Sequence, residues 1–222
     1  MRKGKNEQAR VEPPQLPSPE NVQALDESGF EEDGTYQNLE LSDDDLGTLD
    51  VRNLTIENSR FSSMMMLGAS LDKIRLTDIR FEKCNLSNSE WTKAALSRVE
   101  LLGCRITGLS LVEGKSQDFA LRECKADLAR FSGAVFKNCS FEDTNLRDAD
   151  LRGAKLQNVS FVRCDLNGAE LYNVQLKNVD LRGSRLDGVK FHLEDLRGAI
   201  IDSEQLIGLA PSLAEQLGIT IK

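Results

Sequence analysis

Large apolar residues recur along this chain every five positions. From Leu41 to Leu206 the frame has 34 such positions, and 32 carry Leu, Ile, Val, Met, Phe or Trp; only Ser116 and Ala126 depart. Cut into fives, the middle of the chain reads TNLRD, ADLRG, AKLQN, VSFVR, CDLNG, AELYN, VQLKN, VDLRG. A helix needs a period near 3.6 and a half-buried strand a period of 2, so neither template fits. A strict short period is the mark of a solenoid, whose repeats stack to build one continuous core.

A second position keeps the same beat. Two residues before each large one stands a small or medium residue, as at Ala94, Cys104, Ala129, Ala149, Val159 and Ala169. Between 46 and 193 that position carries no charge, whereas Asp44, Glu194 and Glu204 occupy it outside those limits. Both positions therefore point inward, and the other three carry the charges and amides. The interior is predicted to close near Asp44 and near Glu194. Around 112–128 the frame is disturbed, with Phe119 in a small position between Ser116 and Ala126. A local bulge or kink is expected there, without a projecting loop.

The ADLRG, CDLNG and AELYN units resemble the A-(D/N)-L-x-x consensus of the pentapeptide-repeat proteins, and the resemblance covers residues 39–203. It implies an all-β fold, a right-handed quadrilateral parallel β-helix with one unit per side and 20 residues per coil. About eight coils over 36–203, at roughly 4.8 Å each, make a rod about 40 Å long.

On that coil Cys84, Cys104, Cys124 and Cys164 form one inward column, with Thr144 and Ser184 filling its gaps, and Cys139 lies on another side. Stacked neighbours about 4.8 Å apart are wider than the ~3.8 Å Cβ separation of a disulfide. A straight column of thiols does not converge on one point as zinc requires. The cysteines are thus read as small hydrophobes. Trp91, Phe141, Leu151, Leu156, Phe161 and Leu171 join them in the expected core.

After Ile201 the pattern turns helical, with Leu206, Leu209, Ala210, Leu213, Ala214 and Leu217 at i, i+3, i+4, i+7 spacing. Ser203 is the expected N-cap, Pro211 the start of a second short helix and Gly218 its stop. This segment, 204–222, is expected to cap the last coil. It has more apolar surface than a coil end covers, which makes Leu206, Leu209, Leu213 and Leu217 candidates for a homodimer interface.

The net charge of −8 is unevenly placed. Residues 1–50 hold 13 acidic and 4 basic side chains, while 51–222 hold 23 and 24. Residues 1–35 also contain four of the five prolines and few large apolar groups, so a flexible acidic segment is expected. The start lacks the apolar core of a signal peptide, and no run suits a membrane span. A soluble, cytoplasmic protein is expected. The only histidine, His192, falls on an outward position, and no nucleotide-binding, nucleophile-elbow or metal motif occurs. The reading is of a non-enzyme needing no cofactor or metal.

The segment GAIIDSEQLIGLAPSLAEQLGITIK resembles the C-terminal tail of Qnr- and MfpA-type pentapeptide-repeat proteins. VRNLTIENSRF, FEKCNLSNSEW and FALRECKADLARF are similar to Qnr-like sequences from Gram-positive bacteria. The resemblance implies a bacterial protein that binds DNA gyrase or topoisomerase IV as a dimeric rod imitating duplex DNA, and so protects against quinolones. It implies no direct contact with nucleic acid or membrane. Two features of the residues weigh against that role. No outward column from 51 onward has a sustained acidic excess, the one through Lys137, Lys155 and Lys177 being mildly basic, and the unbroken frame gives little room for the projecting loops that Qnr-type proteins often carry. A scaffold for an unrelated protein partner is the alternative.

Overall fold

A computed structural model describes residues 11–25, 29–47 and 49–220. Over most of that length the chain winds as a parallel β-solenoid of about eight turns, followed by a single helix, Ser203–Gln216. The most regular side of the coil is built from the eight-residue strands Thr55–Ser62, Arg75–Glu82, Ala95–Leu102, Lys115–Arg122, Val135–Glu142 and Lys155–Val162. Each pairs in parallel with the next at a register of 20 residues, as in Leu76↔Leu96 and Phe141↔Phe161. The remaining sides are single-rung bridges such as Asn85↔Arg105 and Ser110↔Arg130.

The five-residue frame works because each side ends in a corner that turns through the left-handed region. Asn58, Asp78, Asn88, Asn138 and Asn158 all have φ between 46° and 59°. Asn, Asp and Gly tolerate that conformation at least cost, which is why they crowd the second position after each large residue.

Inside, the coil repeat dictates how rings meet. Phe141 and Phe161 stack with centroids 4.7 Å apart and planes 7° from parallel, and Phe61 and Phe81 lie 4.9 Å apart at 15°. Rings free to choose prefer offset or edge-on contacts. Identical rotamers one rung apart leave little option but to stack. Trp91, Leu151, Leu156 and Leu171 are also buried, as are all five cysteines, which are free thiols.

The region 112–128 departs from its sequence expectation. Strand Lys115–Arg122 keeps its register with both neighbours, with no bulge inserted. Phe119 is fully buried and reaches the rings of Phe136 and Phe141, at 6.2 and 6.3 Å. Ser116, the small residue nearby in the frame, is in register with Phe136, whose ring Phe119 meets. The disturbance is confined to the ladder, where the Val99↔Phe119 rung is present and a Phe119↔Cys139 rung is not.

The interior closes one residue later than the frame indicates. Glu194 is exposed, whereas Asp195 is buried inside a short 3-10 turn, Leu193–Leu196. Its carboxylate accepts the backbone N–H groups of Asn173 at 3.0 Å and His192 at 2.7 Å, sealing two donors at the coil edge.

The C-terminal helix is continuous, and Pro211 lies inside it. The proline withholds a donor from the Ile207 carbonyl without ending the helix. Its N-cap is Asp202, not Ser203. The Asp202 carboxylate accepts from Gln205 N, and the Gln205 side chain accepts from Asp202 N, both at 2.9 Å. Among the described residues no helix is long and apolar enough to cross a membrane.

Candidate interaction surfaces

The cysteine column shows why thiols and hydroxyls interchange there. Cys84, Cys104, Cys124 and Cys164 each donate to the carbonyl 23 residues back, at 3.3–3.5 Å. Ser184, in the same column, donates to Phe161 O at 3.2 Å, and Thr144 donates to Glu142 O at 2.9 Å. Burial pushes the Cys139 thiol up to about 12 and the Cys164 thiol up to about 11. Cys104, between the thiols of Cys124 and Cys84, is pushed up by both contacts and by burial. Thiolate chemistry is suppressed at all three. Among the described residues no group of three His, Cys, Asp or Glu side chains is placed to hold a metal. His192 is exposed and rests against the Tyr172 ring at 4.8 Å.

Outside, charges are matched along the rod axis. Arg60 pairs with Glu40, Arg163 with Asp143 and Lys190 with Glu170, each one rung away, and Arg130 reaches Glu90 two rungs away. Such pairs are worth little individually, but they reduce the field where they occur. Six exposed acids outside such pairs lie at the start of the rod: Glu31, Glu32, Asp33, Asp43, Asp44 and Asp45.

One side carries a strap. Residues 11–25, part of the segment expected to be flexible, lie against the coil. Glu12 N donates to Asp118 Oδ1 at 3.3 Å, Gln15 N to Asp78 Oδ1 at 2.9 Å, and Gln23 N to Asn38 O at 2.8 Å. From Glu12 to Gln15, three residues cross two rungs, about 10 Å, which is the rise of extended polyproline backbone. Pro13, Pro14, Pro17 and Pro19 pre-set φ, so little chain entropy is lost when the segment docks. Pro13 and Pro14 line a small cleft with Val99, Glu100, Asp118 and Ala120. Glu100 and Ala120 stand on outward positions of the frame, yet both are buried there. Buried Glu100 is held between Arg80 at 2.9 Å and Arg122 at 3.1 Å.

The other end is closed by the helix. Leu209 is buried and Leu213 partly buried against the core, while Gln205 Nε2 donates to the carbonyls of Leu181 and Ser184 at 2.6 and 2.7 Å. Gln216 Nε2 does the same for Phe191 O at 2.9 Å. These amides satisfy edge carbonyls that a further coil would otherwise bond. Of the four candidate interface leucines, two thus face the coil. Leu206 is 51% exposed and Leu217 59%, beside Ile207 at 74% and Ile219 at 56%.

A 20-residue coil with a large inward residue on each side has a counterpart among known families. The family described as a pentapeptide repeat region matches residues 74–151 and 127–191, more than half the chain. The chain belongs to that family. Solved pentapeptide-repeat structures match it at low identity. HetL, involved in heterocyst differentiation regulation in the cyanobacterium Nostoc sp. strain PCC 7120, is 21% identical over 79% of this chain and 92% of its own, with a TM-score of 0.33. Full-length QnrB1, a plasmid-mediated fluoroquinolone resistance protein, is 21% identical over 84% of this chain and 100% of its own, also at 0.33. A pentapeptide repeat protein of the Arabidopsis thaliana thylakoid lumen is 23% identical over 53% and 68%, at 0.22. No curated relative matches the chain significantly.

Proposed function

We propose that this pentapeptide-repeat protein is a non-catalytic, cytoplasmic protein-binding rod that dimerises through its C-terminal helix. The observation that carries the reading is the double use of that helix. Leu209 and Leu213 are committed to the coil, and Leu206, Ile207, Leu217 and Ile219 leave an apolar surface beyond it. A second copy is a natural cover for such a surface. The five free, buried thiols support a reducing compartment.

The resemblance to Qnr-type sequences makes a bacterial DNA gyrase or topoisomerase IV the partner to test first. In a dimer joined at the C-termini, the acidic first coils would sit at the two distal ends. That gives a basic DNA-binding surface an acidic tip to meet, not the continuous acidic face of a duplex mimic. The axial ion pairs that offset acidic charge on the sides favour the second reading, a scaffold for an unrelated protein.

Purified gyrase supercoiling, inhibited by a quinolone with and without the protein, separates the two. Restored supercoiling together with co-purification of gyrase supports the topoisomerase reading. No protection and no binding leave the scaffold.

A further inference from the structure

Among the described residues, the strap covers only part of its side of the rod. The corner column that receives it continues through Asn138, Asn158 and Asn178, at φ of 54°, 53° and 55°. Asp78 and Asp118, which hold the strap, adopt the same conformation at 59° and 53°. The asparagines form a ladder, with Asn178 Nδ2 donating to Asn158 Oδ1 and Asn158 Nδ2 to Asn138 Oδ1, each at 3.1 Å. An amide oxygen has two lone pairs, so each rung retains an acceptor of the kind that Asp78 and Asp118 offer the strap's N–H groups.

Lys137, Lys155 and Lys177 flank this ladder, all exposed. Lys137 and Lys177 are both in register with Gln157, so they stand two rungs apart, and Lys155 is in register with Gln175. No acidic residue occurs in 135–138, 155–158 or 175–178. Among the described residues the lysine ion pairs are those of Lys93 and Lys190, so these three lysines are uncompensated. The covered half of the side shows how such a surface is used. There an extended, proline-rich segment docks, and its Glu12 interacts favourably with Arg98 in the column.

We infer that the half of this side beyond the strap's described residues is a docking site for an extended, acidic, proline-containing segment of a partner protein. The ladder offers acceptors for peptide N–H groups, which a phosphodiester backbone lacks. This part of the face has no outward aromatic ring on which a base could stack. The chain's own residues 1–10 are poorly suited, because Arg2, Lys3, Lys5 and Arg10 outnumber Glu7 and repeat the sign of the face. The inference rests on the protein-binding reading, but it concerns a different surface from the dimer or topoisomerase contact. A failed gyrase assay therefore leaves it standing.

The test is fluorescence anisotropy of the full chain with a labelled synthetic peptide of Glu-Pro-Gln repeats. The same peptide with Gln for Glu and a single-stranded DNA of matched charge serve as comparison probes. The acidic peptide is expected to bind, and the neutral one more weakly. The combined Lys137→Glu, Lys155→Glu, Lys177→Glu variant is expected to weaken binding at least about tenfold. Asn158→Gly keeps the corner conformation and the charge while removing the acceptor, and is expected to weaken binding by a smaller factor. Lys93→Glu, on another side, is expected to change nothing. Absence of binding, equal loss with Lys93→Glu, or no effect of Asn158→Gly overturns the proposal. So does tighter binding of the DNA that the lysine variant abolishes, which would assign the surface to nucleic acid.

Discussion

Asp78 and Gln15 are 63 positions apart, yet the Asp78 carboxylate accepts the backbone N–H of Gln15 at 2.9 Å. The same carboxylate receives the Arg98 guanidinium through two bonds of 2.6 Å. One buried acid thereby ties two neighbouring rungs to the strap that crosses them.

Replacing Asp78 by Ala should free the strap and cost about 1.5–3 kcal/mol, the range for hydrogen bonds to a charged group. Hydrogen exchange over residues 12–25 should accelerate, while exchange in the core strands stays slow. Unchanged exchange in the strap would show that the contact does not hold it.

The same carboxyl sets a pH dependence. Burial raises its pKa, but the Arg98 bonds and the Gln15 N–H outweigh burial and hold it below the ordinary value. A carboxyl depressed in the folded state binds fewer protons than in the unfolded chain. Its stabilisation is complete above the unfolded value near pH 4 and is lost as pH falls through the depressed folded value. Urea midpoints measured downward from pH 5 should fall less steeply in Asp78→Asn than in the parent.

Core stacking gives a second stability prediction. Phe141 stacks on Phe161 and meets Phe119 and Phe136 edge-on. Phe141→Ala should cost about 3–5 kcal/mol, through lost burial and the cavity left in a rigid coil. Thermal melting followed by circular dichroism reads this directly, and an unchanged Tm would contradict the packing.

The thiols should be silent until the protein unfolds. Cys139 and Cys164 combine full burial with elevated thiol pKa values, so neither supplies a thiolate near neutral pH. All five cysteines are buried and out of a reagent's reach, so a disulfide-exchange reagent should label none of them quickly in the native state and all five in denaturant. Cys164→Ser should cost under about 1.5 kcal/mol, since a hydroxyl makes the same carbonyl bond at Ser184. Rapid labelling of any one thiol in the native state would show local opening at that rung.

The repeat was readable because one rule, a large residue inward every five, is enforced at nearly every coil by the same geometry. Its exceptions were less readable for the same reason. Phe119 violates the rule locally, yet its ring is buried against Phe136 and Phe141, and the five-residue spacing does not contain that contact. The strap is not legible in composition, which measures burial capacity and not docking. Four prolines that look like disorder also lower the entropy of an extended segment that has a surface to lie on. The helix cap was in plain view. Asp202 and Gln205 have the spacing of a reciprocal capping box, and Asp is as good a first residue as Ser. That Leu209 and Leu213 would turn to the coil while Leu206 and Leu217 turned away depends on the angle at which the helix docks, which the apolar spacing does not contain.

Gln205 sits where these arguments meet. Its side-chain oxygen closes the capping box with Asp202 N, and its amide nitrogen bonds the open-edge carbonyls of Leu181 and Ser184. Gln205→Ala removes all three bonds, and its effect should begin at the end of the rod. Each bond is worth about 0.5–1.5 kcal/mol net, so about 1.5–4.5 kcal/mol of local stability is at stake. Exchange should rise first in the helix and in strand Gln175–Asp180, then spread toward the middle, because each coil contacts only its neighbours. Gln205→Glu should rescue the capping box alone, since its carboxylate still accepts from Asp202 N but brings no donor to the two carbonyls. If Gln205→Ala instead melted the whole rod in one step, with no early exchange at the C-terminal end, the helix would not be acting as a local seal.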